Sequence, residues 1–308
     1  MRAIMYHYVR RYDASLPYFK YLDIDNFKRQ LDYFDAAYGY VSFNEWCDFT
    51  DNGLVPKKSG KVILTFDDAM RCHYDYVFPE LLSRGLWGIF YVPTSPYTDR
   101  IILDVHRIHL LCGAYSGIEL FNLANSLISE DMIPDEMIEE FRNQTYTRQQ
   151  NTAGVSEFKR LMNYFIDYKY RTVVINQIAD ALGFLFQMDT FYIPYENLSE
   201  MKKQGMVIGS HSHSHPVMSK LSGLSQQIEI EKSFSVLGAL VESCHKTYCH
   251  PYGGFHSFNK ETVDTLDKLG VSYAFNVESR EIVQTDYKSS KYYLPRFDCN
   301  LFPHGRAS

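Results

Sequence analysis

Val62-Ile63-Leu64-Thr65-Phe66-Asp67-Asp68 decides the fold. The run is apolar on both alternating sets of positions and ends on adjacent carboxylates. A strand with two apolar faces belongs in a parallel sheet covered on both sides. Carboxylates beside an apolar wall are costly to desolvate and repel each other unless a cation offsets them. A helix N-cap needs a single Asp, so the pair points to a division of labour.

Similar runs recur along the chain, with helical patterns between them. Ala3 to His7 reads as the first strand. A helix is predicted from about Asp25, with Phe27, Leu31 and Phe34 at helical spacing and Gly39 past its end. Another surrounds Pro79 to Leu82 and stops at Gly85, before a strand at Gly88 to Val92. Met206 to Gly209 is the next strand, followed by a helix through Phe234, Leu237 and Val241. Lys246 to His250 leads into the turn Pro251-Tyr252-Gly253-Gly254. Asn259 caps a helix bearing Val263 and Leu266 and stopped by Gly270. Ser272 to Phe275 and Tyr292 to Leu294 are the last predicted strands.

This alternation predicts an α/β chain built on parallel βα units. In a parallel barrel, chemistry gathers at the C-terminal strand ends. His7, Asp67, Asp68, His211, His250 and Arg296 all fall at or just past predicted ends. Residues 96–200 differ: they are mostly helical in pattern, with polar connections such as Asn143 to Gly154. They read as an insertion within a single domain spanning 1–308.

His211-Ser212-His213-Ser214-His215-Pro216 follows the fourth of these predicted strands. Imidazole is the commonest protein ligand for transition metals. Histidines four apart can close on one ion if the backbone turns; in an extended strand all three would share a side.

Net charge is −6, which gives no general electrostatic reason to bind nucleic acid or an anionic membrane. The N-terminal apolar stretch is too short and interrupted for a signal segment, and no run approaches a bilayer span. The expectation is a cytoplasmic protein without a membrane span. The six cysteines are scattered, with no Cys-x-x-Cys pair, and read as free thiols. Tyr (25) and Phe (21) are abundant enough to serve both core packing and sugar stacking.

In these motifs the chain resembles the polysaccharide deacetylases, the NodB-homology group of carbohydrate esterase family 4. The first family motif is met by Thr65-Phe66-Asp67-Asp68 and the second by His211-Ser212-His213-Ser214-His215. Pro251-Tyr252-Gly253 answers to the third; Phe90 to Thr94 and Met5-Tyr6-His7 also look like the family. The resemblance covers about 1–95 and 203–298. It implies a distorted, seven-stranded parallel (β/α) barrel. It also implies one divalent ion held by Asp68, His211 and His215, with zinc first and cobalt, nickel, iron or manganese as alternatives.

On that resemblance, Asp67 is the general base that activates metal-bound water, and the Tyr252 backbone amide helps hold the oxyanion. His213 fills a variable motif position and reads as exposed, or as supporting the ligands from behind, rather than as a ligand itself. The implied reaction is removal of an N-acetyl group from an acetamido sugar. The implied substrate is a nucleotide-sugar or lipid-linked glycan precursor in surface polysaccharide or lipopolysaccharide biosynthesis.

The chain departs from the family in three places. Ala69 stands where Gly usually follows the first motif, which matters if φ there is positive. Cys249 stands where the family often has an Arg that orients the catalytic Asp, and Arg296 is expected to replace that Arg. The late Leu-x-His that supplies the general acid has no clear match. His250, His7, and His106 or His109 are the candidates, with His7 and His106 also placed toward substrate. These departures keep two alternatives open. One is a catalytically degenerate member that binds glycan or scaffolds a complex; the other is a metal hydrolase of a different non-peptide C–N bond.

Overall fold

The computed structural model describes residues 1–139, 154–241 and 246–307. Most of the expected Asn143–Gly154 connection lies outside the described residues. The chain separates into two compact units: Met1–Arg11, Tyr21–Ile101 and Met188–Ser308 form the first, Tyr12–Lys20 and Ile102–Gln187 the second.

The first unit is built on a curled, all-parallel sheet of seven strands, a half-barrel of the NodB-like (β/α) type. In chain order the strands are β1 (Arg2–Tyr6), β4 (Val62–Phe66), β5 (Ile89–Val92), β6 (Val207–Ser210), β7 (Thr247–Cys249), β8 (Tyr273–Phe275) and β9 (Phe297–Asp298). A short pair, β2 (Val9–Arg10) and β3 (Leu22–Asp23), stands apart. Spatial order is β8-β7-β6-β5-β4-β1-β9, so the chain grows outward from β4 toward β8 and closes the other edge with its last strand.

Period-two alternation sorts the strand residues into two cores. Ile4, Tyr6, Leu64, Phe66, Phe90, Ile208 and Tyr248 pack outward under the helices. Tyr6, Phe66 and Phe90 are register partners on neighbouring strands and stack at 5.2 and 4.7 Å. Ala3, Ile63, Ile89, Tyr91, Val207, Cys249, Tyr273 and Phe275 face the other way. Trp46 and Phe49 join that inner core from helix Phe43–Asn52, which a Ser42–Glu45 capping box starts. The helix Ile24–Ala37 buries Phe27, Leu31 and Phe34, as their spacing predicts.

Two sequence expectations are corrected. Tyr292 to Leu294 is not a strand: Leu294 makes a single bridge to Phe275. Pro295 follows and has no N–H to continue a ladder. The last strand is instead β9, so Arg296 precedes a strand rather than following one. The helix expected through Val241 ends at Leu237, where Gly238 turns the chain at positive φ.

The second unit has helices Asp104–Ala114, Gly117–Leu127, Gly154–Arg160 and Tyr168–Leu182 around Ile108, Leu111, Phe158, Ile175 and Ile178. Gly117 and Gly154 meet so closely that a Cβ on Gly154 would lie 2.2 Å from the Gly117 backbone. Residues 188–193 group with the first unit, because Ile193 N donates to Ala69 O and Tyr192 bridges Met70.

Gly209 lies on β6, level with Tyr91, under the Tyr91–Thr247 hydroxyl hydrogen bond of 2.9 Å. An added Cβ would meet Tyr91 at 2.6 Å and Thr247 at 2.7 Å. Gly209→Ala should therefore destabilise the fold by about 1–3 kcal/mol, read as a lower urea midpoint at unchanged slope. An unchanged midpoint would contradict this packing.

Candidate metal-hydrolase site

Because the strands run parallel, the segments after β1, β4, β5, β6, β7 and β8 emerge at one end. His7 follows β1, Asp67 and Asp68 follow β4, the His211–His215 turn follows β6, and His250 with Tyr252 follow β7.

Asp67 and Asp68 diverge because the backbone turns sharply between them. Asp68 and Ala69 have φ of 77° and 50°, left-handed for residues that carry a Cβ. Such a conformation costs roughly 1–2 kcal/mol per residue. The expected Gly position thus does require positive φ, and this chain meets it with a buried Ala. Ala69 O is pinned by Ile193 N.

Asp67 turns toward Arg296. The guanidinium is 1% exposed and grips both carboxylate oxygens, Nη1 to Oδ1 at 2.7 Å and Nη2 to Oδ2 at 2.8 Å. Arg296 also donates to Thr65 Oγ1 at 3.1 Å, to Asn276 O at 3.2 Å and to Cys249 Sγ at 2.9 Å. A guanidinium thus reaches the Cys249 side chain from another segment. Burial opposes ionisation of Asp67, but the Arg296 guanidinium outweighs it and holds the carboxyl below its usual range.

Asp68 turns the other way. His211 Nε2 lies 3.5 Å and His215 Nε2 3.4 Å from Asp68 Oδ1. The imidazoles are 4.7 Å apart at 76°. His211 Nδ1 donates to Cys249 O at 2.9 Å, which fixes the tautomer and leaves the Nε2 lone pair facing Asp68. Burial lowers the His211 pKa, favouring the neutral ligand form. Two inward nitrogens and a carboxylate fit a divalent ion, with positions left for water and substrate.

Asp67, His211 and Cys249 also lie close enough to share an ion. That set fits worse, because the Arg296 guanidinium already sits between Asp67 and Cys249.

The turn bearing the histidines is itself bent, with Ser212 at φ 63° and His215 at φ 56°. Of the two expected readings of His213, exposed or supporting the ligands from behind, the structure shows the second. It is buried, and its ring nitrogen Nδ1 bonds Thr94 Oγ1 at 2.8 Å while its carbonyl accepts from Thr94 N and Ser95 N. It stitches the turn to the end of β5.

Tyr252, at φ 65°, lays its ring 4.9 Å from that of His215. His7 is 41% exposed, with Nε2 3.9 Å from Asp68 Oδ2. His73, buried and held neutral by burial with a pKa of about 4, donates from Nε2 to His7 O. Nothing in the sequence marked His73, since its helix position reads as ordinary core. His250 is buried against Phe258 at 3.9 Å, and its Nε2 donates to Tyr292 O at 2.8 Å. His106 lies in the helical unit, buried in Asp104–Ala114 beside His109.

Residues 173–274 match the family model described as polysaccharide deacetylase. The match includes both histidine ligand candidates and the Pro251-Tyr252-Gly253 turn. This segment of the chain is thus similar to that family, whose reaction class is hydrolysis of N-acetyl amide bonds. No curated protein matches the chain. Among solved structures, IcaB from Ammonifex degensii is similar at 15% identity, TM-score 0.57, over 98% of this chain and 94% of that one. Streptococcus pyogenes deacetylase PplD, solved with acetate, is similar at 16% identity, TM-score 0.56, over 97% and 91%. The BpsB deacetylase domain from Bordetella bronchiseptica follows at 13% identity, TM-score 0.52, over 96% and 94%. These identities establish a shared fold.

Replacing Arg296 by Met strands a buried Asp67 carboxylate and should destabilise the fold by about 3–5 kcal/mol at pH 7. Asp67→Asn in the same background should restore part of that loss in urea unfolding. Asp67 is held below its unfolded value, so the pair's stabilisation is full above about pH 4 and fades as pH falls through the lowered pKa. The stability gap between wild type and Asp67→Asn should shrink in that acid range. A pH-independent gap would contradict the assignment.

Proposed function

We propose that this chain removes the N-acetyl group from an acetamido sugar in a metal-dependent hydrolysis. The observation that supports the reading best is the separation of the two adjacent carboxylates. Asp68 faces two imidazole nitrogens, and Asp67 faces a guanidinium.

Asp68, His211 and His215 would hold the ion. A divalent ion there, zinc foremost, would supply Lewis acidity toward an acyl oxygen and toward water. Asp67 is the general base: Arg296 keeps it ionised and oriented, so it can take the proton of the attacking water. The Tyr252 backbone amide would donate to the acyl oxygen as charge develops on it. The departing amine needs a proton, and His7 is best placed to give it. It is half-exposed, next to Asp68, with its backbone held by His73. His250, with Nε2 engaged and the ring buried, braces the loop after β7. His106 is assigned no step.

An acetamido sugar suits the rim of this site. Phe255, three positions after Tyr252, is 57% exposed and packs at 5.9 Å on Tyr293, offering flat apolar faces. A nucleotide-linked or lipid-linked glycan precursor inside the cell remains our preferred form of that sugar. Among the described residues, no helix is long and apolar enough to cross a membrane. We also propose that the helical residues are an insertion within one deacetylase-like domain rather than a second function.

Acetate and free-amine release from N-acetylglucosamine oligomers and acetamido-sugar nucleotides tests the reading. Asp67→Asn should lower turnover at least about 10²-fold with the ion retained. His7→Gln should lower kcat with little change in ion content. His215→Ala should lose the ion. Full turnover by Asp67→Asn would remove the base assignment. No release from any of these substrates by zinc-loaded protein would move the chain to the glycan-binding reading.

A further inference from the structure

The turn between the two histidine ligands is held from outside the site by one carboxylate. Glu229, midway along helix Gly223–Leu237, accepts from His213 N at 3.0 Å and Ser214 N at 2.8 Å through Oε2. Its Oε1 accepts from Ser214 Oγ at 2.6 Å. The same helix reaches the end of β6 through Ser233 Oγ, 2.5 Å from Ser210 Oγ, which in turn accepts from Ser212 N at 3.2 Å. Inside the turn, His215 N donates to Ser212 Oγ at 3.0 Å.

This arrangement has a mechanical consequence. Ser212 and His215 both occupy left-handed backbone, a conformation that persists only where surrounding contacts over-determine it. Of the three residues between the two ligands, His213 and Ser214 both end their N–H groups on Glu229, and Ser212 N ends on Ser210 Oγ. The opposite edge of the turn is fixed by Thr94 and Ser95 N–H groups on His213 O. Charge-assisted bonds to backbone N–H are stronger than neutral ones. The carboxylate therefore contributes rigidity where the span between His211 and His215 is set.

We propose that Glu229 is a positioning residue for the metal ligands. It holds the His213–Ser214 segment so that the His211 and His215 nitrogens face Asp68 before any ion arrives. Resting on the metal-dependent reading above, it extends that site to a residue that touches neither ion nor substrate.

The test uses the full chain stripped of ions and titrated with zinc alone, by calorimetry against a competing chelator. Wild type should bind one equivalent. Glu229→Ala should bind about 10–100-fold more weakly, the usual effect of losing a group that orients a ligand. Glu229→Gln, which keeps an acceptor oxygen but not the charge, should fall between them. Ion-free melting of Glu229→Gln should stay close to wild type, and its cobalt-substituted visible spectrum should move with the loosened ligand angle. Wild-type zinc affinity in both variants would overturn the inference while leaving the site intact. If Glu229→Ala does not fold, Glu229→Gln decides alone: weaker zinc binding at unchanged melting supports the role, and unchanged binding removes it. Failure of wild type to bind zinc would refute the metal reading itself and this inference with it.

Discussion

The bidentate pairing of Asp67 with Arg296 is the constraint on which the rest of the site depends. Without it, adjacent carboxylates at the end of a buried strand would repel each other, and burial would drive one to bind a proton. With it, one carboxylate is neutralised by a buried arginine, and the other faces the imidazole nitrogens of His211 and His215. The left-handed turn at Asp68 and Ala69 makes this separation geometrically available. Strand β4 delivers both residues to the same end as the β6 turn, so local backbone strain and sheet topology cooperate.

The same logic accounts for Cys249, at the position where the family the chain resembles often has an arginine. The guanidinium enters from the segment before β9, and its Nη2 rests on the Cys249 sulfur. A larger side chain at position 249 would compete for that volume. The substitution and the relocated arginine are therefore two halves of one arrangement. The thiol itself, buried and with its pKa pushed up by that burial, is held in the neutral form.

Much of this was legible in the sequence, for physical reasons that differ by element. Val62–Phe66 announced a parallel sheet because both its faces are apolar, and His211 and His215 stood out because four-residue spacing in a turn closes on one point. β9 was hidden: it is short, follows Pro295, and pairs only with β1. Arg296 was found through a strand that turned out to be a single bridge. The sequence left His213 open between an exposed and a supporting position, since its hydrogen bonds to Thr94 and Ser95 leave no mark in spacing. Glu229 and His73 were invisible for the same reason. Each acts on backbone groups far away in sequence, from helices whose periodicity reads as ordinary packing.

The central claim is that the ion belongs to Asp68, His211 and His215, with Asp67 reserved for the proton. His211 could also join Asp67 and Cys249, so the two sets differ by one sulfur. X-ray absorption at the zinc edge of the loaded protein separates them directly. The account predicts only nitrogen and oxygen neighbours at about 2.0–2.2 Å, with imidazole scattering from two histidines. A sulfur neighbour at about 2.3 Å would contradict it.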